Sequence, residues 1–232
     1  DMDSYRIGVI RVLTTEDPEL LNLHGRLLER YFPMFRVESR CIPDQYEGIH
    51  DDATMAAGVP KVVAMARQMY EEGFDAIIVS CAGDPGVREA RSAVPIPVVG
   101  GGESTASLAQ FYGGKAGTVG ITADIPEAYT RILEGHIIPE AGIGKGVVST
   151  LDLMTPAGFA ATVDAARDQQ AKGAEVLALS CTGMSTIGIA PALERELGIP
   201  VLDPVMCEGL LTLFELLRRA QLSSSASQAE QN

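Results

Sequence analysis

The chain has 232 residues, which at roughly 150 residues per domain allows one large domain or two small ones. Apolar residues make up 46% of it, and no apolar run approaches the ~18 residues needed to cross a membrane, so a membrane protein is excluded. The formal net charge of −13 would repel a phosphate backbone, so nucleic acid is not an expected partner.

The cysteines and the two ends of the chain indicate its cellular setting. Four cysteines lie far apart, at positions 41, 81, 181 and 207, and predict no disulfide framework. Residues 1–6 carry no basic segment followed by an apolar one, so no export signal is visible, and a cytoplasmic location is expected. The Ser-rich tail 223–232 has too little apolar surface to order itself and is predicted to be disordered.

Short apolar strands alternate with amphipathic helices along the first half of the chain. The predicted strands are 6–12, 35–41, 75–80 and 96–100. A first helix begins near Thr15–Pro18, a second covers 55–72, a short one ends near Arg91, and a fourth covers 104–112. Alternating strands and helices predict a parallel sheet.

The pattern then repeats. Residues 73–83 align without a gap on residues 173–183, so that Ser-Cys-x-Gly occurs twice, and each copy leads to an Ile-Pro-Val strand. We therefore predict an α/β fold of two similar lobes, 1–112 and 113–222, each a four-stranded parallel sheet flanked by helices. The last helix, about 206–222, is a candidate to pack back on the first lobe. An active site is expected in the cleft between the lobes, where the carboxyl ends of both sheets would meet.

Cys81 and Cys181 occupy equivalent points of the two repeats, each just past a buried strand. A single cysteine in such a place is more often a small buried side chain. A pair at equivalent points suits a reaction that removes a proton from one face of a carbon and returns it on the other, with one thiolate as base and one thiol as acid. The residues therefore indicate racemisation or epimerisation, with Cys81 and Cys181 as catalytic residues and no required metal or organic cofactor.

These segments resemble a known family. Cys81-Ala82-Gly83-Asp84-Pro85-Gly86 and Ser180-Cys181-Thr182-Gly183, each followed by an Ile-Pro-Val strand, are similar to the aspartate/glutamate/hydantoin racemase superfamily, most of all to its hydantoin racemase branch. The resemblance extends to about Arg219 and implies a cofactor-independent racemase with two catalytic cysteines. Aspartate and glutamate racemases typically place Asn-Thr after the first cysteine, so Ala82-Gly83 argues against a free dicarboxylic amino acid.

Further candidates for substrate binding lie at the other predicted strand ends and in the cysteine loops. Hydroxyls and backbone N–H groups there would bind carbonyl groups and stabilise an enolate. The predicted substrate-binding residues are Thr14, Ala82, Gly83, Thr122, Thr182 and Gly183. The threonines fit helix caps equally well, and the glycines fit tight turns. Asp84 either tunes a thiol or binds substrate, or, as we favour, caps a helix with Pro85 at its first position; the roles of Thr15 and Glu103 stay open.

Three other features of the sequence give weaker indications of function. His24, His50 and His136 lack metal-ligand spacing and are interpreted as structural or surface residues. Gly100-Gly101-Gly102 lacks the third glycine of a dinucleotide-binding fingerprint. The apolar set Leu210, Leu211, Phe214 and Leu217 fits either the core or the interface of a homo-oligomer.

The sequence thus predicts a racemase of 5-substituted hydantoins or related amino-acid derivatives. Three other enzymes fit the same site: a free amino-acid racemase, an enzyme similar to maleate isomerase, and one similar to arylmalonate decarboxylase. A two-lobed sensor that binds a small molecule without catalysis is the alternative outside the enzymes.

Overall fold

Eight β-strands form two sheets in the part of the chain that the computed structural model describes, residues 4–231. The strands are β1 (Tyr5–Arg11), β2 (Phe35–Cys41), β3 (Ala76–Val79), β4 (Val98–Gly100), β5 (Lys115–Gly120), β6 (Gly142–Ile143), β7 (Ala174–Leu179) and β8 (Val201–Leu202). The inner strands β1, β3 and β7 are buried almost throughout, as expected of strands covered on both faces.

The two sheets have the same topology. One has the strand order β2-β1-β3-β4 and the other β6-β5-β7-β8, so each strand of the second matches a strand of the first. Parallel pairing joins β1 to β2 and β3, and joins β5 to β6 and β7. The predicted fold class, two four-stranded parallel sheets flanked by helices, is confirmed. In each sheet a cysteine follows the third strand in chain order, β3 or β7.

Eight α-helices flank the sheets in the described residues. They are α1 (Pro18–Tyr31), α2 (Asp52–Glu71), α3 (Val87–Ala93), α4 (Gly101–Gln110), α5 (Glu127–Ile132), α6 (Pro156–Ala171), α7 (Ile189–Leu197) and α8 (Pro204–Glu230). Polar caps fix several starts: the Asp17 carboxylate accepts the N–H of Glu19 at 3.0 Å, and Asp51 and Thr54 form a reciprocal capping box at α2.

The chain divides into two compact units that do not coincide with the two continuous halves of the repeat. The first unit runs to Val79 and adds Pro85–Val99 and the chain from Glu208 onward; the second comprises Ser80–Asp84 and Gly100–Cys207. Helix α4 follows a strand of the first sheet but belongs to the second unit. Most of α8 follows the second sheet but belongs to the first unit, where Gly209 lies against Phe32 and Leu28.

The second sheet is covered on both faces. Along β7, Val176 and Ala178 join a cluster with residues of α4 and α5, whereas Leu177 and Leu179 join a larger cluster with residues of α6 and α7. Because successive side chains of a strand point to opposite faces of the sheet, α4 and α5 cover one face of β7, and α6 and α7 cover the other. Tyr129 of α5 is the largest side chain of the first of these clusters and is fully buried.

The C-terminal region differs from the sequence expectation. Residues 223–230, predicted to be disordered, continue α8 as far as Glu230. The hydroxyls of Ser223, Ser224 and Ser227 each donate to the carbonyl four residues earlier, which is compatible with a continuous helix.

Upstream, Leu210, Phe214 and Leu217 are 44%, 58% and 53% exposed, so they lie at the surface of the chain and not in its core.

One histidine of the first unit is buried and uncharged. His24 is buried in the first unit, and burial together with the charge of Arg11 lowers its pKa to about 3, so it is a neutral core residue at pH 7.

Among residues 4–231 there is no helix with the length and apolar character needed to span a bilayer.

Candidate active site

The Cys81 loop, residues 80–84, leaves the end of β3 and forms a tight turn. The N–H of Asp84 donates to the carbonyl oxygen of Cys81 at 3.2 Å, and Asp84 itself has a positive φ of 51°. Cys81 is half-buried, Ala82 is buried and Gly83 is exposed. The turn therefore presents Cys81 at the carboxyl end of the strand with its backbone held from within the loop.

Asp84 also fixes this loop to helix α4. Its carboxylate oxygens accept the N–H groups of Gly102 at 2.8 Å and Glu103 at 2.7 Å, two donors of the first helical turn that have no partner inside the helix. Helix α3, which Asp84 was predicted to cap, begins instead at Val87 after Gly86. Asp84 is a cap, but of a helix that begins 17 residues later, where Gly100 has no side chain to cap it.

The glycines at the start of α4 let the Cys81 loop approach closely. A Cβ atom on Gly101 would lie 3.2 Å from the carbonyl oxygen of Cys81, and one on Gly102 would overlap the carbonyl oxygen of Ala82. Glu103 contributes from the helix, because its carboxylate accepts the N–H of Gly100 at 3.2 Å. The glycine run serves the contact between a cysteine loop and a helix N-terminus, where negative charge is favoured.

The Asp84 carboxyl is electrostatically unusual. Its pKa is raised to about 7: burial raises it most and the charge of Glu103 adds to the rise, whereas the hydrogen bonds from Gly102 and Glu103 and the charge of Arg131 lower it. The group therefore changes its charge near neutral pH while holding the loop that carries Cys81.

Asp84→Asn is expected to change how stability depends on pH. Because the pKa is raised from 3.8 in the unfolded chain to about 7 in the folded one, the folded protein binds more protons between these values, and its stability falls as pH rises from about 4 to 7. The variant should lack this component, which amounts to a few kcal/mol at most. Urea unfolding at several pH values from 4 to 8 measures the difference.

Asp152→Asn is the matched control for this experiment. The Asp152 carboxylate accepts hydrogen bonds from Val148 and Ser149, which lower its pKa, so its contribution is present at neutral pH and lost as pH falls. The two variants should shift the pH dependence of unfolding in opposite directions. Parallel curves for wild type and Asp84→Asn would contradict the role of burial at Asp84.

The Cys181 loop, residues 180–188, follows β7 and is built differently. Thr182–Ile187 forms a 3-10 helix whose first turn is closed by the N–H of Met184 donating to the carbonyl of Cys181 at 3.1 Å. Cys181 is half-buried, and a Cβ atom on Gly183 would lie 3.5 Å from its sulfur. Met184 stands where the first repeat has Asp84, and Asp203 caps α8 directly, its carboxylate accepting the N–H of Val205 at 2.8 Å.

Tyr129 is a residue that the sequence reasoning missed. Its hydroxyl donates to the carbonyl of Leu179, two residues before Cys181, at 2.5 Å, and is hydrogen-bonded with the Thr105 hydroxyl of α4. Burial raises its pKa well above the ordinary value, and negative charge on Cys207, Asp84 or Cys181 would raise it further, whereas the bond with Thr105 acts in the opposite direction. The phenol is therefore uncharged at neutral pH and acts as a hydrogen-bond donor within the second unit.

The other predicted site residues have varied surroundings. Thr14 lies three residues beyond β1, in the first unit, where its hydroxyl donates to Ile42 O and accepts Gln45 N–H, both at 2.6 Å. Thr15 accepts the N–H of Asp17 at 3.1 Å, beside the start of α1. Thr122 is exposed, two residues beyond β5, and Thr182 is half-buried in the Cys181 loop. Both hydrogen bonds of the Thr14 hydroxyl thus go to the loop after β2.

The second compact unit contains both cysteine loops, Thr122, Asp84 and Tyr129. Cys207 is buried near the start of α8, and Cys41 is half-buried at the end of β2 in the first unit. Within residues 4–231, no group of three or more His, Cys, Asp or Glu side chains has a metal-binding arrangement. The second compact unit therefore holds the thiols of Cys81 and Cys181, the carboxyl of Asp84 and the phenol of Tyr129.

Comparison with known proteins indicates the family to which the chain belongs. The model of the Asp/Glu/hydantoin racemase family matches residues 8–208. The chain is 31% identical over 173 residues to hydantoin racemase of Paenarthrobacter aurescens, covering 70% of each, and 30% identical over 179 residues to hydantoin racemase of Pseudomonas sp. (strain NS671), covering 71% of this chain and 66% of the relative. Allantoin racemase from Klebsiella pneumoniae has a similar fold, with a TM-score of 0.72 at 22% identity over 90% of this chain and 86% of the other.

The repeated sheets and the paired cysteine loops define an α/β enzyme with two equivalent halves. This chain belongs to the Asp/Glu/hydantoin racemase family. The relationship identifies it as an isomerase of the racemase type, whose substrate is a small molecule.

Proposed function

We propose that this chain racemises 5-substituted hydantoins or closely related amino-acid derivatives, using Cys81 and Cys181 as an acid and base pair and no cofactor. The observation that carries the proposal is the equivalence of the two cysteines: each lies two residues beyond the end of the third strand, β3 or β7, of one of two sheets with matching strand order. The hydantoin racemase relatives support the substrate class.

The reaction follows from this equivalence. One cysteine as thiolate removes the proton from C5 of the ring, the electron pair of the broken C–H bond delocalises onto the adjacent carbonyl, and the opposed thiol returns a proton to the other face. The first cysteine ends as thiol and the second as thiolate, so the reverse reaction uses them in exchanged roles. Backbone N–H groups of the two cysteine loops are the proposed donors to the enolate oxygen.

Charge also favours a hydantoin over a free dicarboxylic amino acid. The chain carries a formal charge of −13, and Asp84 and Glu103 lie together beside the Cys81 loop. A substrate with two carboxylates would be repelled by this excess, whereas a hydantoin ring is uncharged near neutral pH. Ala82 and Gly83 after the first cysteine further distinguish the chain from the usual Asn-Thr of aspartate and glutamate racemases.

The test is isotope exchange during racemisation. Single enantiomers of several 5-substituted hydantoins, allantoin among them, and of aspartate and glutamate are incubated with the protein in D2O, and optical rotation and deuterium at the α-carbon are followed together. Enzyme-free samples are essential because hydantoins racemise unaided. We expect exchange with racemisation of hydantoins. Exchange with aspartate or glutamate alone would replace the substrate class, and binding of a hydantoin without any exchange would favour a sensor.

A further inference from the structure

The carbonyl of Leu179, at the end of β7, lacks its ordinary partner in the sheet. The N–H of Leu177 donates to the carbonyl of Pro200 at 2.9 Å, which sets the register of β7 against β8. In a parallel ladder of this register, the carbonyl two residues further along β7 accepts the N–H of residue 204. Residue 204 is proline, which has no N–H to donate.

The phenol of Tyr129 supplies the missing donor. Its hydroxyl reaches the Leu179 carbonyl from α5 at 2.5 Å, in a cluster where the whole side chain is buried. A buried carbonyl without a donor is destabilising, so this contact secures the strand end. Cys181 lies only two residues further along the chain.

The same hydroxyl is connected to the helix that holds the other cysteine loop. The single hydroxyl proton of Thr105 can be donated either to the phenol oxygen of Tyr129 or to the carbonyl of Gly101, which lies 2.7 Å from the Thr105 oxygen. Gly101 is in the first turn of α4, where a Cβ atom on it would lie 3.2 Å from the carbonyl oxygen of Cys81. Thr105 therefore lies between the phenol of Tyr129, which holds the end of β7, and the helix turn beside Cys81.

We propose that Tyr129 is a positioning residue that fixes the Cys181 loop in its place for proton transfer, a role that rests on the proposed function. It is not itself an acid or base of the reaction. The phenol acts through the Leu179 carbonyl, and its loss should loosen the loop without removing any thiol.

Tyr129→Phe tests this role because it keeps the buried ring and deletes only the hydroxyl. The first readout is steady-state racemisation, in which we expect kcat to fall about 10-fold or more while KM changes less than about threefold, as for a displaced catalytic group. The second is labelling by iodoacetamide, with each cysteine quantified by peptide mass spectrometry. Labelling of Cys181 should become about threefold faster or more, while Cys41 in the first unit is unchanged.

Thr162→Val is the matched control. Thr162 is a fully buried residue of the second unit whose hydroxyl donates to the carbonyl of Gly158 at 2.9 Å, within α6. This variant should lose comparable stability in urea yet keep wild-type kcat and Cys181 labelling. Buried Cys207 reports on the fold, since faster labelling of Cys207 along with Cys181 would indicate general opening.

The outcomes separate the two proposals. Unchanged kcat and unchanged Cys181 labelling in Tyr129→Phe would overturn the positioning role, as would a fall in kcat without any change at Cys181. If the wild-type chain racemises none of the compounds tested, the proposed function fails, but the labelling rates still decide whether Tyr129 holds the Cys181 loop.

Discussion

Cys81→Ala and Cys181→Ala should each lower the rate of hydantoin racemisation by a factor of about 10² to 10⁴, in both directions, because each direction needs one cysteine as base and the other as acid. Polarimetry starting from each pure enantiomer measures the loss. Residual deuterium exchange without inversion should be confined to one enantiomer in Cys81→Ala and to the opposite enantiomer in Cys181→Ala. This pattern would assign each cysteine to the face of the substrate that it serves.

Cys41→Ala is the matched control, because Cys41 is also a half-buried cysteine but lies at the end of β2 in the first unit. It should retain near wild-type activity. Full activity in either single variant, Cys81→Ala or Cys181→Ala, would exclude the two-base mechanism. Full activity in one of these variants is instead the result expected of a decarboxylase with a single catalytic cysteine, because such an enzyme does not need the second cysteine.

Gly102→Ala should be among the most damaging single changes to the site. Its Cβ would overlap the carbonyl oxygen of Ala82 and lie 2.8 Å from a carboxylate oxygen of Asp84, so either the loop or the helix must move. We expect a loss of about 2 kcal/mol or more in the free energy of unfolding, because overpacking outweighs the helix propensity of ~1 kcal/mol gained on replacing glycine by alanine. Urea denaturation at pH 7 measures it.

Gly101→Ala provides the graded comparison at the neighbouring position. Its Cβ would lie 3.2 Å from the Cys81 carbonyl oxygen, a tight contact that a shift of a few tenths of an ångström relieves. This variant should therefore lose less stability and less activity than Gly102→Ala. Equal effects of the two substitutions would show that the close approach of the loop to α4 is not what the glycines provide.

The parts of the fold that local patterns determine could be predicted. β2 lies at the predicted residues 35–41, and the other strands of the first sheet lie within two residues of their predicted bounds, because buried parallel strands are short β-branched runs with clear ends. The repeat around Cys81 and Cys181 correctly indicated two sheets of the same kind, since equal sequence patterns give equal local structures.

The contacts that depend on tertiary structure could not be predicted. Asp84 lies next to Pro85, which suggests a cap for the helix that follows, yet its partners are N–H groups 18 and 19 residues away, on α4. The role of Tyr129 depends on a carbonyl 50 residues further along the chain. Pro204 was the available signal for it, because a proline just after the edge strand β8 has no N–H to donate to the neighbouring inner strand β7.

The assignment of α4 and most of α8 to the opposite units means that a gene divided between the two repeats would not yield two folding domains. A fragment beginning near residue 113 would keep α8 but lack α4, and with it Ala106 and Ala109, which cover Val176 and Ala178 of the second sheet. Tyr129 would lose Thr105 as well. The duplication visible in the sequence is therefore complete only as one covalent chain, because each half carries a helix that belongs to the other.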